Sequence, residues 1–267
     1  MSYQHLIYEV DREARVATVT LNKPERLNAI DQQDHRDLME VCQHIQQDEA
    51  VWVVIWTGAG RGFCAGADVG QPRPPEDESR PLNQLLDEDT WVSRQGHALY
   101  NIDKPMIAAI NGVAAGAGFS LALYCDIRVG CEHSRFVTAF QKRNLPPEGG
   151  MSFLLPRIVG ASRALDLSLT GRQVGAEEAY RIGLLDRLVA ADQLLPTARS
   201  IAGDICRLPP SALRVSKRAI RRALEAGFLE ASRYEVQAID LAQRAPHDTE
   251  EARLAFQEKR EPRFTGN

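Results

Sequence analysis

The sequence predicts an α/β fold with a C-terminal helical region, and three observations carry that expectation. Two nearly continuous apolar runs, Val51 to Thr57 and Pro105 to Ile110, have the character of strands buried on both faces of a sheet. Each runs into a glycine-rich loop, giving an alternation of strand, loop and helix. From Ala161 onward the apolar residues recur at helical spacing. We place an α/β core at 1–200 and a C-terminal helical region at 201–267.

Leu6 to Val10 and Arg15 to Leu21 read as two strands about the turn residues Asp11-Arg12-Glu13, with Asn22-Lys23-Pro24 ending the hairpin. The side chain of Asp31 can cap a helix running to about Asp48, with Leu38, Val41, Cys42 and Ile45 on one face. The buried strands Val51 to Thr57 and Pro105 to Ile110 follow, with a shorter one at Ile127 to Gly130. Between the first two, residues 70–89 combine prolines with acidic residues and little apolar content. Such a segment cannot offset its own ordering entropy, which predicts a mobile surface loop and suggests a lid. Helical periods at Ala176 to Ile182 and Ala212 to Ala226 are separated by a break at Leu208-Pro209-Pro210.

A composition of 44% hydrophobic and 25% charged residues is that of an ordinary soluble globular protein. A net charge of −4 offers no basic face for nucleic acid. Cys42, Cys64, Cys125, Cys131 and Cys206 are an odd number without metal-ligand spacing, which predicts reduced thiols, a cytoplasmic protein and no metal. No apolar run is long enough to span a bilayer, and the N-terminal residues lack the pattern of a secretory signal.

The two loops after the buried strands, Gly58 to Asp68 and Asn111 to Gly118, are built from small residues that let bare backbone approach a ligand. Where such a loop opens a helix, its first N–H groups point outward without partners. Two of them aimed at one oxygen would form an oxyanion hole, whereas taken singly each loop reads as a tight strand-to-helix turn. Neither has the lysine of a P-loop or the dinucleotide spacing.

Together the loops resemble the enoyl-CoA hydratase/isomerase (crotonase) superfamily. The first matches at Phe63-Cys64-Ala65-Gly66-Ala67-Asp68 and the second at Lys104 to Gly112, and the likeness continues through Leu154 to Gly160, Leu169-Thr170-Gly171, Ala176 to Ala179 and Gly183 to Asp186. The resemblance implies a spiral of repeated ββα units, an acyl-CoA thioester as substrate, no cofactor apart from that coenzyme A, a role in fatty acid or aromatic acid metabolism, and assembly as a homotrimer or a dimer of trimers (a hexamer). It assigns the oxyanion-hole donors to the backbone N–H groups of Ala65 and Ala117. Arg26, Gly66, Ala67 and Asp68 would shape the CoA nucleotide site, and Gly116 and Phe140 would border the acyl group. Phe256 and Lys259 fall where family members contact CoA, often across a subunit boundary, and are otherwise a packed aromatic and a solvated charge.

Hydratases of this family use two glutamates, at the positions held here by Ser120 and Phe140. The resemblance instead directs attention to Glu148, at the position of an acid/base in some of the family's isomerases, 1,2-epoxyphenylacetyl-CoA isomerase among them. Set among Phe140, Leu145 and Pro146, its carboxyl would be desolvated and its pKa raised, as suits a base for an acidic proton. The favoured expectation is therefore an acyl-CoA isomerase rather than a lyase. An alternative is a hydrolase or dehalogenase-like enzyme with Glu148 as nucleophile and His97 activating water. Further alternatives are an enoyl-CoA hydratase and a non-catalytic CoA-ester binder. Trp91, Phe119, Phe140 and Phe153 are candidates to line the acyl pocket.

Overall fold

A computed structural model describes residues 3–68, 70 and 91–267. The lid expected at 70–89 therefore lies, Gly70 apart, outside the described residues, as does the side chain of Trp91. Strands β1 (Leu6–Asp11) and β2 (Val16–Leu21) form the expected antiparallel hairpin, with Arg15 in the left-handed region at φ 62° in the turn. Strands β3 (Val53–Gly58), β5 (Met106–Ile110), β7 (Ile127–Cys131) and β10 (Arg187–Val189) continue from β2 in parallel, in the order β1-β2-β3-β5-β7-β10. The short strands β4 (Gly62–Cys64), β6 (Val113–Ala115), β8 (Arg135–Val137) and β9 (Val174–Gly175) make a second sheet.

The chain passes from the large sheet to the small one and back: β3 to β4, β5 to β6, β7 to β8. This is the spiral of ββα turns implied by the resemblance. The short strands read as loops in the sequence because three residues are too few for any periodicity to register.

Helix α1 (Gln32–Gln47) starts on a capping box: Asp31 accepts from the N–H groups of Gln33 (2.8 Å) and Asp34 (3.0 Å), and the Asp34 carboxylate accepts from the N–H of Asp31 (2.8 Å). Its far end is closed by the buried Lys104, whose ammonium donates to the carbonyls of Ile45 and Asp48, the latter at 2.6 Å. Helices α2 (Trp91–Tyr100), α3 (Ala117–Tyr124), α4 (Met151–Val159), α5 (Ala161–Thr170) and α6 (Ala176–Arg181) follow. The main core includes one face of the large sheet, with Val54, Trp56, Ala108 and Ile110, together with α1 to α5.

The opposite face, Val53, Ile55, Ile107, Ala109 and Val129, is covered by Leu194, Ala198 and Ala202 of helix α7 (Leu194–Cys206). That helix runs through residue 200 and ends at Cys206, before the break at Leu208 to Pro210. Beyond lie α8 (Pro210–Ala223), α9 (Phe228–Ala242) and α10 (Pro246–Glu258). Among the described residues no helix is long and apolar enough to cross a membrane.

Candidate active site

Two asparagines hold the first glycine-rich loop. Asn28, buried and left-handed at φ 58°, donates to the carbonyls of Ala59 (3.0 Å), Gly62 (2.8 Å) and Phe63 (3.2 Å) while accepting from the N–H of Lys23. Asn111 donates from the other side to Gly58 (2.8 Å), Gly60 (2.9 Å) and Gly62 (3.1 Å). The carbonyls are thus collected inward, and within its described residues the loop runs through β4 (Gly62–Cys64). At its end Arg26 meets Asp68 at 3.1 Å, two of the residues expected at the CoA nucleotide site. The N–H of Gly70 and the Arg26 guanidinium hold the Asp68 carboxyl below its ordinary value.

Beneath this loop His5, Asp31 and Asp34 approach closely enough to suggest a cation site, but the ammonium of Lys23 lies between the two carboxylates at 2.8 and 2.6 Å. Burial opposes the Lys23 charge, and the bonds to Asp31 and Asp34 outweigh it, holding its pKa above the usual value. This cluster is a strut that ties the loop to α1, with the lysine in the place of a metal.

The second loop ends at Gly116, left-handed at φ 48°, from which α3 begins at Ala117. The two loops meet there: a side-chain carbon at Gly66 would lie 3.4 Å from the Ala117 nitrogen and 2.6 Å from the Ala115 carbonyl, and one at Gly118 would lie 2.2 Å from the Cys64 carbonyl. Only glycine permits that approach. Being first in its helix, the Ala117 N–H has no intrahelical acceptor, and none faces it among the described residues. The Ala65 N–H is engaged, donating to the carbonyl of Leu27 at 2.9 Å. Of the two donors implied by the resemblance, one is open and the other already has an acceptor.

Glu148 lies across from α3, in the turn that starts α4. It is half-buried, Leu145 is half-buried and Pro146 is exposed, so the setting is more open than the sequence implied. Its carboxylate makes no hydrogen bond or ion pair among the described residues. Its carbonyl is held: Ser120 donates its hydroxyl to it at 3.1 Å, and Gly149 and Gly150 follow in left-handed conformation at φ 57° and 70°. Phe140 is buried with its ring against Gly116, 3.7 Å from where a side-chain carbon there would be.

The remaining candidates are not gathered at this point. Phe119 is turned into the core, its ring centroid 5.2 Å from that of Phe136, and so does not line a pocket. Phe153 stands edge-on to Tyr100 at 6.3 Å. Helix α2 turns Gln95, Gly96 and Leu99 inward and exposes His97. Phe256 is 87% exposed, neither packed nor against the loops, and Lys259 is an exposed left-handed C-cap.

Two residues of this region were not singled out for a role from the sequence. Ser120 registers there only as a missing glutamate, although a hydroxyl at that helix position facing Gly149 is the anchor of the Glu148 turn. Tyr124, one helical turn on, is 5% exposed. Its hydroxyl occupies the space that side chains at Gly96 (2.5 Å) and Gly150 (2.7 Å) would need. Burial pushes its pKa up to about 12. Glycines facing one tyrosine from two helices are a signal visible only once the helices are packed.

The chain matches the model of the family described as enoyl-CoA hydratase/isomerase over residues 11–267. It is 38% identical to 1,2-epoxyphenylacetyl-CoA isomerase of Escherichia coli K12 over 256 residues, covering 95% of this chain and 96% of that protein. It is 42% identical to a probable enoyl-CoA hydratase of Mycobacterium leprae, covering 80% of this chain and 74% of the relative. Its fold superposes on the crystal structure of an enoyl-CoA hydratase from Bacillus anthracis with a TM-score of 0.87 at 30% identity, over 99% of this chain and 100% of that one.

Proposed function

Because the chain belongs to the enoyl-CoA hydratase/isomerase family, we propose that it is an acyl-CoA isomerase in which Glu148 moves a proton through a thioester enolate. The observation that carries this reading is the fate of the two positions at which the family's hydratases keep glutamates. Ser120 has its hydroxyl engaged on a carbonyl and Phe140 is a buried ring, so neither can activate water. The Glu148 carboxylate has no partner among the described residues, and the open Ala117 N–H begins the helix whose Ser120 holds the Glu148 carbonyl. One acid with one oxyanion site suffices for a shuttle and is insufficient for addition of water across a double bond.

The ionised Glu148 takes a proton from an activated carbon of the bound acyl group. The C–H electron pair moves into the thioester, and negative charge collects on its oxygen at the N-terminus of α3, where the Ala117 N–H and the helix dipole favour it. Ala65 provides the second donor by sharing its N–H between Leu27 and the thioester oxygen. Each such donor is worth about 2.7–4 kcal/mol of barrier. Return of the same proton to a different carbon restores the thioester and completes the isomerisation with no net gain or loss of atoms. Gly66, Ala67, Arg26 and Asp68 then border the CoA nucleotide, and Phe256 and Lys259 complete the CoA site from a neighbouring copy in a trimer or hexamer.

The test is deuterium incorporation from heavy water into linear 3-enoyl, phenylacetyl and cyclic CoA esters. The wild type should exchange at least one ester, and Glu148→Gln should lower that exchange by roughly 10²–10⁴ while CoA-ester binding persists. Undiminished exchange in the variant rejects Glu148 as the shuttle.

A further inference from the structure

A cavity of about 270 Å³ lies between α5 and α6, lined by Arg163, Leu167, Arg172, Glu178, Arg181 and Ile182. None of these residues belongs to the candidate active site. Its apolar wall is Leu167, buried, and Ile182, half-buried. The charged side chains around it are unequally matched. Arg172 donates to Asp166 through Nε (2.9 Å) and Nη2 (2.7 Å) and to Glu178 through Nη1 (2.9 Å) and Nη2 (2.8 Å). Glu178 is thereby engaged, and the bond from Arg172, with a smaller pull from Arg181, holds its carboxyl below its ordinary value. Arg163 gives one N–H to the Val159 carbonyl at 3.3 Å, and Arg181 gives none among the described residues. Neither of these two exposed guanidiniums has a carboxylate at ion-pairing distance among the described residues, whereas Arg172 between them in sequence has two.

We propose that this cavity binds a small organic carboxylate, its carboxylate held by Arg163 and Arg181 and its apolar body resting on Leu167 and Ile182. The uncommitted polar groups of the lining side chains are N–H donors, so the ligand has to bring the acceptors. A guanidinium presents paired N–H groups in the geometry that a carboxylate accepts. Charge sets the valence: Asp166 and Glu178 against Arg163, Arg172 and Arg181 leave one positive charge in excess, which a monoanion balances and a phosphate dianion overshoots. The apolar wall gives an organic body something to cover, which an inorganic ion would leave wet. The cavity is just below the roughly 300–1,000 Å³ of sites for drug-sized ligands, a size that suits a body of about one ring. This site stands apart from the acyl-CoA reading and does not depend on it.

Because both guanidiniums are exposed the binding is weak, and NMR of the arginine Nε–H groups is the suitable readout. The wild type is titrated with phenylacetate, with the neutral isostere phenylacetamide and with inorganic phosphate. Phenylacetate should shift two Nε–H signals, one missing from the spectrum of Arg163→Gln and the other from that of Arg181→Gln. Phenylacetamide should bind at least tenfold more weakly, and the double variant Arg163→Gln, Arg181→Gln should lose at least tenfold in phenylacetate affinity. Phenylacetate that leaves both signals unmoved, an amide that binds as well as the acid, or a double variant with unchanged affinity overturns the proposal. Tighter binding of phosphate than of phenylacetate at the same two arginines also overturns it, since the cavity is then a site for a dianion. None of these outcomes bears on deuterium exchange, so the proton shuttle stands or falls separately.

Discussion

At Ser120, where the resemblance implies a glutamate in the family's hydratases, a helix hydroxyl holds the Glu148 carbonyl. Its bond to the Glu148 carbonyl fixes the turn that aims the carboxylate, and Gly149, 3.4 Å from the Ser120 side chain by the position of a built carbon, allows the approach. Ser120→Ala removes one half-buried hydrogen bond and should cost about 1 kcal/mol of stability. Because the turn would then relax, kcat should fall roughly tenfold or more with little change in KM, measured on whichever ester shows exchange. A rise in KM alone would mean that Ser120 touches substrate instead. The role of Ser120 was invisible in the sequence because a serine in a helix is silent about which carbonyl lies across from it. Glu148 was legible as a candidate from its motif, but its half-buried setting was not, since exposure of Pro146 depends on the packing around the turn.

Helix α2 is attached to α1 by a titratable contact. His35 of α1 bonds through Nδ1 to the side-chain carbonyl oxygen of Gln95 of α2, and burial lowers its pKa to about 4. The neutral ring is therefore favoured in the folded state, whereas the unfolded chain binds a proton near pH 6.5. The folded-state pKa being the lower, this contribution is intact above about pH 6.5, is lost as pH falls toward 4, and amounts to about 3 kcal/mol at most. His35→Gln should flatten the melting temperature between pH 7 and pH 5 relative to wild type; parallel curves would refute the assignment. Strands β1, β2, β3, β5 and β7 and helix α1 were legible in the sequence to within two or three residues, because continuous apolar runs and an Asp31 cap are local signals, whereas β10 is too short to register. The strands of the second sheet were not: β4, β6 and β8 are held by neighbours far along the chain and by Asn28 and Asn111, rather than by any pattern of their own. Lys104, conspicuous in a family motif, proves to be a helix C-cap.

For the whole molecule the notable surface belongs to the C-terminal helices. Phe228, Leu229, Val236 and Ile239 of α9 and Phe256 of α10 are each more than half exposed, which is more apolar side chain than a monomer usually leaves in water. We expect sedimentation equilibrium to show a self-associated species, and Phe228→Glu with Val236→Glu to shift it toward monomer; a wild type that is monomeric at all concentrations would contradict this. The same region grips the core. Arg221 of α8 donates to the carbonyls of Tyr100 and Tyr124, the latter at 2.9 Å, and to Asp126 at 3.0 Å, while Lys217 donates to the Lys104 carbonyl and to Asp126, each at 2.7 Å. The helix that offers the Ala117 N–H is therefore fastened at its other end by a residue 97 positions later. During synthesis at about 5–20 residues per second, roughly 5–20 s separate the appearance of Tyr124 from that of Arg221. The ribosome thus releases both glycine loops and Glu148 well before the clamp exists. In the nascent chain the candidate site therefore waits, fully synthesised, for the residue that fastens its helix.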